Sequence, residues 1–319
     1  MTPRPVVSFV IPTQRRPEGL ARAARSLFRQ AAVDLDWLEL VVVDNDQYPS
    51  ARGVALSLTL EAPFPVIYLH EPRSGVAHAR NAAVANVSGD FIAFLDDDEV
   101  ASEGWLAALL ATQGRYDADV VFGPVRARAP ASAGAHRAYF RRFFSREGPA
   151  SEGLIANHYG CGDSLIRTSA LPHPRRPFCP SRNHIGGEDD KLFARMREAG
   201  ARMAWSPEAW VWEDPAPSRL SLDYAIRRAF AYGQGPTTAC AASSDPDHAA
   251  IARWMAIGLA QALVFGALAA AKWLVRAPDR AFALDRAARG LGKCFWWGPF
   301  KIRFYGLPAP SRPMTLSPA

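Results

Sequence analysis

Residues 91–99 read Phe-Ile-Ala-Phe-Leu-Asp-Asp-Asp-Glu, an apolar run that turns without transition into four carboxylates. A continuous apolar run of this length suits a strand covered on both faces, as in a mostly parallel sheet. Charge cannot follow it into a core, so the strand must stop at Asp96 and present Asp96, Asp97, Asp98 and Glu99 at its carboxyl end. Four like charges this close repel one another, and a divalent cation or a positive cluster relieves that cost. Oxygen donors of this kind suit a hard cation. The competing reading is a solvated acidic turn that caps the next helix.

The neighbouring sequence favours the first reading. Short β-branched runs at 6–11, 38–43 and 66–69 alternate with helical patterns at 20–30, 76–87 and 104–113. A strand near 119–125, a helix near 136–144, a strand near 164–167, a helix over 188–199 closed by Gly200, and strands near 202–205 and 209–212 follow. This order predicts an α/β layer fold with a mostly parallel sheet. In such sheets ligands bind beyond the carboxyl ends of the strands. Three polar clusters fall at that edge: Pro12-Thr13-Gln14-Arg15-Arg16 after the first strand, Asp44-Asn45-Asp46 after the second, and Ser74 to Asn81, with Gly75 and Arg80, after the third. Together they offer hydrogen-bond partners for a base and ribose, an arginine for phosphate and acids for a metal, which is a nucleoside-diphosphate site. At 186–191, Gly-Gly-Glu188-Asp189-Asp190-Lys191 opens a helix. Its dipole accounts for acids in the first turn, but beside a metal-nucleotide cleft Asp189 is the candidate general base.

Charge divides the chain unevenly. The whole carries 37 Lys and Arg against 31 Asp and Glu, yet residues 251–319 hold ten of the bases and only Asp279 and Asp285 as acids. The basic character therefore belongs to the tail. A linker is expected over 233–248, followed by an uncharged run over 254–271 between Arg253 and Lys272. Eighteen residues reach about 27 Å, short of a hydrocarbon core, so burial against the protein or an interfacial position is expected ahead of spanning. Phe295-Trp296-Trp297, Phe300, Phe304 and Tyr305, interleaved with Lys293, Lys301 and Arg303, suit lipid headgroups. No nucleic-acid module accompanies them, so no nucleic-acid partner is expected. Cys161, Cys179, Cys240 and Cys294 lie far apart, which argues against a disulfide scaffold or structural zinc. The first apolar stretch ends at Pro12, too short for a signal-peptide core, and a cytoplasmic body is expected.

The segments Val10-Ile11-Pro12-Thr13, Val41-Val42-Val43-Asp44-Asn45, Gly75 with Ala79-Arg80-Asn81, Gly89-Asp90 running into Asp96-Asp97-Asp98, and Gly187-Glu188-Asp189 resemble, in order and spacing, family 2 glycosyltransferases of the GT-A fold. The resemblance covers residues 6–240, and within the family it is strongest to bacterial β-glucosyltransferases of succinoglycan-type exopolysaccharide assembly. It implies a GT-A catalytic domain over 1–240 and a helical, membrane-associating region over 241–319. Thr13 and Asp44 would hold the nucleoside, and Pro12, Arg16 and Arg80 would join the nucleotide-sugar site. Asp96 and Asp97 would lie along ribose and diphosphate, with Asp98 coordinating Mg2+ or Mn2+. Asp189 would deprotonate the acceptor, and Glu188, Asp163 and Trp212 would support the acceptor side, where His184 is a further candidate. The implied reaction is inverting transfer of glucose from UDP-glucose to a lipid-linked saccharide at the cytoplasmic membrane surface.

Two departures stand out. Gly160-Cys161-Gly162-Asp163-Ser164 replaces a Gly-x-Asn segment, and Trp212 rather than His precedes Glu213, which leaves a third metal ligand open. A nicotinamide dehydrogenase is disfavoured because Pro-Thr-Gln-Arg, not a glycine-rich turn, follows the first strand. An aspartyl phosphotransferase leaves Asp44 and Arg80 without a role. A catalytically silent nucleotide-sugar-binding scaffold at the membrane would be expected to lack a key carboxylate, and none is missing.

Overall fold

The computed structural model describes residues 6–183, 186–242 and 245–302; His184, Arg303, Phe304 and Tyr305, named above, lie outside them. Four parallel strands, β1 (Val7–Thr13), β2 (Leu38–Asp44), β3 (Val66–His70) and β4 (Phe91–Phe94), lie side by side in the order β3-β2-β1-β4. After the acids the chain forms β5 (Glu99–Ala101), then β6 (Val120–Phe122) and β7 (Val125–Ala127). One strand was expected over 119–125. Instead the chain breaks at Gly123-Pro124, because Pro124 has no N–H for a ladder. The remaining strands are β8 (Gly153–Leu154), β9 (Ser164–Arg167), β10 (Met203–Trp205) and β11 (Val211–Glu213). The main sheet runs β3-β2-β1-β4-β9-β6-β10-β8, with β9 antiparallel between β4 and β6, and a small second sheet runs β5-β11-β7.

Residue alternation on β1 and β2 builds two cores. Phe9, Ile11, Leu40 and Val42 face α1 (Pro17–Leu27), α2 (Arg52–Glu61) and, later in the chain, α4 (Trp105–Tyr116). Val10, Val41 and Val43 face α3 (Val76–Val84) and α6 (Glu188–Glu198), together with Phe94, Phe122 and Phe193. The period of two puts successive side chains on opposite faces, and helices cover both. Helix α2 was not expected: Val54, Leu56, Leu58 and Leu60 alternate like a strand. Leu58 is buried, whereas Leu56 and Leu60 face solvent.

The helices α5 (Arg137–Phe144), α7 (Leu222–Ala241), α8 (His248–Leu274) and α9 (Arg280–Cys294) lie outside this frame. The linker expected over 233–248 is instead helical as far as Ala241, passing through Pro236. Helix α9 packs between α7 and α8, and small residues let the backbones approach. A Cβ at Gly292 would lie 2.1 Å from the Phe230 carbonyl oxygen, and one at Gly233 would lie 2.2 Å from that of Arg289. Helix α9 is tied to α5 by Tyr139, whose hydroxyl donates to Asp285 at 3.0 Å. Helix α8 is 27 residues long, about 40 Å, and only 11% of its most apolar stretch is buried. The expectation that it is buried against the protein is therefore corrected.

The backbone contact at the α7–α9 crossing leads to a paired prediction. Gly292→Ala forces the helices apart and lowers unfolding stability by about 1–3 kcal/mol. Gly266→Ala on α8, where a Cβ meets nothing within 4 Å, costs nothing and gains up to about 1 kcal/mol of helix propensity. Chemical denaturation of both variants checks this; equal midpoints would contradict the packing.

Candidate active site

The strand ends place Asp96, Asp97 and Asp98 in one cleft of about 510 Å³, which four arginines, Arg16, Arg80, Arg219 and Arg228, also line. Strand β1 ends in Thr13, whose hydroxyl donates to Asp97 at 2.8 Å. Arg16, just beyond, donates to Asp97 at 3.0 Å and to Asp98 at 2.7 Å. Arg219, reached only after β11, also donates to Asp98, at 3.3 Å. From α3, the buried Arg80 reaches two ways: its Nη1 donates to Glu188 at 2.6 Å and its Nη2 to Asp96 at 3.3 Å. The acids after β4 and the Glu188-Asp189 pair of α6 therefore face the same cleft, and Arg80 bridges them.

The second polar cluster shapes this cleft differently from expectation. Asp44 is fully buried, and its carboxylate accepts from the Ala51 N–H at 2.6 Å and the Tyr68 hydroxyl at 3.0 Å. It does not reach the cleft surface; its charge is spent holding the turn after β2. Asn45 lines the cleft instead. Its amide donates to the carbonyls of Glu71 and Arg73 and accepts from the Gly75 N–H at 2.9 Å, which ties β2 to the start of α3. Gly75 has φ +129° and faces Asn183, whose side chain accepts from the Ala77 N–H. A side chain at Gly75 would suffer both the backbone conformation and that contact.

Two supporting candidates also lie elsewhere. Trp212 packs against Trp210 with ring centres 5.3 Å apart and beneath Arg128, on grooves away from the cleft. Asp163 lies beneath the floor at 0% exposure, accepting from the Trp105 indole N–H at 2.7 Å and pairing with Arg146. Burial, opposed mainly by Arg146, pushes its carboxyl up to about 7. Glu188 is buried against Arg80, so it positions that arginine. Asp189 lines the cleft, with its carboxylate held by the Cys161 and Asp190 N–H groups. The sequence reading placed Asn45 at this edge as part of the second polar cluster but gave no site role to Arg219 and Arg228; all three line the cleft.

Among the described residues no three His, Cys, Asp or Glu side chains converge as a ready-made metal group. The donor chemistry nevertheless fits a hard cation. Burial raises the Asp97 carboxyl to about 6, with Arg16 opposing and Asp98 reinforcing, and burial with the Asp98 charge raises Glu213 to about 8. A cation beside Asp98 would lower the charge repulsion that these shifts record.

The sequence matches the model of glycosyl transferase family 2 over residues 8–173. Over 224 residues it is 41% identical to the succinoglycan biosynthesis protein ExoM of Rhizobium meliloti, covering 70% of this chain and 71% of that one. The chain belongs to glycosyl transferase family 2. The family 2 enzyme is also 31% identical over 236 residues to a pre-mycofactocin glycosyltransferase of Mycobacterium tuberculosis, spanning 71% of this chain and 46% of that one. Its fold is like that of a mannosyltransferase from Pyrobaculum calidifontis solved with GDP-Man and Mn2+, at TM-score 0.63 and 18% identity over 92% of this chain and 88% of that one. It is also like that of S. aureus TarS residues 1–349 solved with UDP, at TM-score 0.52 and 17% identity over 90% of each chain. The expected GT-A fold and glycosyltransferase class are thus established for this family 2 chain.

The buried Asp163 of this family 2 glycosyltransferase gives a pH prediction. Its folded-state value of about 7 lies above the unfolded 3.8, so between these the folded chain binds the extra proton and stability falls as pH rises. Asp163→Asn removes that dependence, flattening the slope of stability against pH between 4.5 and 7 by about one proton. Urea titrations across this range measure it; an unchanged slope would place the proton elsewhere.

Proposed function

We propose that this glycosyltransferase transfers a hexose, glucose from UDP-glucose, onto a lipid-linked saccharide precursor of an exopolysaccharide, with inversion and with Mg2+ or Mn2+. The observation that carries this reading is the bridge by Arg80 between Asp96 and Glu188, which brings Asp189 to the cleft holding Asp98. The likeness to ExoM favours exopolysaccharide assembly. The UDP bound to TarS and the GDP-Man and Mn2+ bound to the archaeal enzyme favour a nucleotide sugar with a cation.

Thr13, Pro12 and Asn45 line the end of the cleft suited to the base and ribose, and Asp97 is fixed there by Thr13 and Arg16. Asp98 would hold the cation, which when bound neutralises charge developing on the departing diphosphate. Arg16 and Arg219, both on Asp98, stand ready to shift toward the diphosphate oxygens. Asp189 takes the proton of the acceptor hydroxyl as its oxygen attacks the anomeric carbon. A single displacement from an α-linked donor gives a β-glycoside. Arg80 holds Asp96 and Glu188 together and the Cys161 N–H holds Asp189, so attack requires little reorganisation.

The C-terminal helices suit a peripheral position at the cytoplasmic membrane face. Leu259, Leu263, Val264 and Leu268 of α8 are exposed, with Trp273, Leu274 and Val275 at its end and Phe295, Trp297 and Phe300 after α9. Helix α8 is docked on the basic α9, where Gln261 donates to the Arg286 carbonyl and Lys293 donates to Gln261. Spanning would carry Arg286, Arg289 and Lys293 toward hydrocarbon, whereas lying in the interface leaves them near anionic headgroups.

Two experiments test these readings. Metal-dependent UDP release, screened with UDP-, GDP- and dTDP-sugars, is expected from a UDP-sugar. Asp98→Ala should abolish it, and Asp189→Asn should keep UDP affinity while losing at least about 100-fold in kcat. Normal turnover by either variant would reject its assignment, and loss of UDP affinity in Asp189→Asn would move Asp189 to the donor site. Separately, Leu263→Glu combined with Leu268→Glu should release the protein from phosphatidylglycerol vesicles in a flotation assay; unchanged flotation would place the membrane contact elsewhere.

A further inference from the structure

Beyond Asp189 a second, smaller cavity of about 280 Å³ continues from the cleft. The two share Arg80, Asp96, Asp189, Arg219 and Arg228, but Pro12, Thr13, Asn45 and Asp97 line only the first. The second cavity therefore lies on the opposite side of Asp96 and Asp189 from the nucleoside end. Its outer wall is aromatic. Tyr224, Arg228 and Tyr232 stand four residues apart on α7 and so share one stripe. Phe143 and Phe144 of α5 meet that stripe: Phe144 and Tyr224 lie nearly parallel at 18° with centres 6.4 Å apart, and Phe143 and Tyr232 stand 6.2 Å apart. The Arg228 guanidinium lies 5.0 Å over the Tyr232 ring. The opposite wall is polar, formed by Glu213, Gly160, Gly162 and the Arg146 guanidinium, which carbonyls of Gly123, Gly160 and Gly162 hold in place.

We propose that this cavity is the acceptor subsite and that it receives one terminal pyranose residue. The proposal rests on the transferase reading above and names its second substrate site. Inversion requires the attacking oxygen to approach the anomeric carbon from the side opposite the diphosphate, with the base beside that oxygen, and this cavity meets the nucleotide cleft at Asp189. A pyranose has apolar C–H faces and a polar rim, which matches one aromatic wall and one wall of carboxyl, guanidinium and backbone groups. The volume falls at the lower limit of small-molecule pockets, about 300 Å³, so it suits a single sugar ring, with the rest of the acceptor passing out between α5 and α7. An acyl chain would leave the polar wall without partners.

Saturation-transfer NMR on the full chain with UDP and Mg2+ tests the proposal, using methyl β-D-glucopyranoside and methyl β-D-galactopyranoside as probes. The wild type should transfer saturation to the ring C–H protons of at least one glycoside. Tyr224→Ala should lower that signal at least fivefold, and Tyr224→Phe, which keeps the ring, should retain it. UDP affinity, measured by calorimetry on the same samples, should stay within twofold, since Tyr224 does not line the nucleotide cleft. Failure of the wild type to bind UDP would sink the nucleotide-sugar reading itself. UDP binding with a glycoside signal that is absent from the wild type, or unaltered in Tyr224→Ala, overturns the acceptor subsite alone. Should Tyr224→Ala fail to fold, as loss of UDP affinity would reveal, Phe144→Leu decides by the same criterion.

Discussion

A buried arginine holds this enzyme's chemistry in one place. Arg80 is drawn from solvent on α3, and burial alone would disfavour its charge, but Asp96, Glu188 and Asp189 outweigh that and raise its pKa. Each partner also gains: without the guanidinium, Glu188 would be a buried carboxylate beside Asp189 and Asp96 with no counter-charge, and removing one partner of a buried pair costs about 3–5 kcal/mol. The pair is therefore less a source of net stability than a constraint on arrangement. By pairing with Asp96 and Glu188 at once, Arg80 ties the start of α6 to the acids after β4, so that Asp98 and Asp189 share a cleft.

The same logic extends outward through polar contacts of decreasing burial. Tyr139 of α5 and Arg289 of α9 both reach Asp285, and Arg289 also lies over Tyr232 of α7. The burial of the Tyr139 hydroxyl beside Asp285 suppresses its ionisation. Through this cluster α5 and α7, which line the smaller cavity, are fastened to the basic layer carrying α8. The α/β frame and the basic C-terminal helices are thus packed together around α7, although the charge distribution divides them sharply.

Much of the frame was legible because its signals are local. Apolar runs at β1, β2 and β4 give way abruptly to polar and charged residues, and the stripe at Leu20, Ala23, Ala24 and Leu27 has a single sensible period. Helix α2 escaped because its leucines alternate, and α9 because its buried face is Ala and Gly, which carry almost no hydropathy signal. Asp96, Asp97, Asp98 and Asp189 were readable from their strand-end and helix-start positions. Asp44 was misplaced: in sequence it and Asn45 are equivalent loop polars, and only the inward turn of one side chain separates them. Arg219 and Arg228 arrive from more than 120 residues beyond the acids, where no spacing rule connects them. Trp212 looked able to meet a sugar, but strand register with β5 and β7 turned it toward Trp210.

The crossing of α7 and α9 at Gly233 and Gly292 is main chain against main chain. Side chains elsewhere can exchange volume with their neighbours, but two peptide backbones in contact have nothing to exchange. The outward surface of α8 has no such restriction. Descendants of this chain could therefore vary the exposed residues of α8 freely while the backbone crossing, and the cavity walled by α7, stayed as they are.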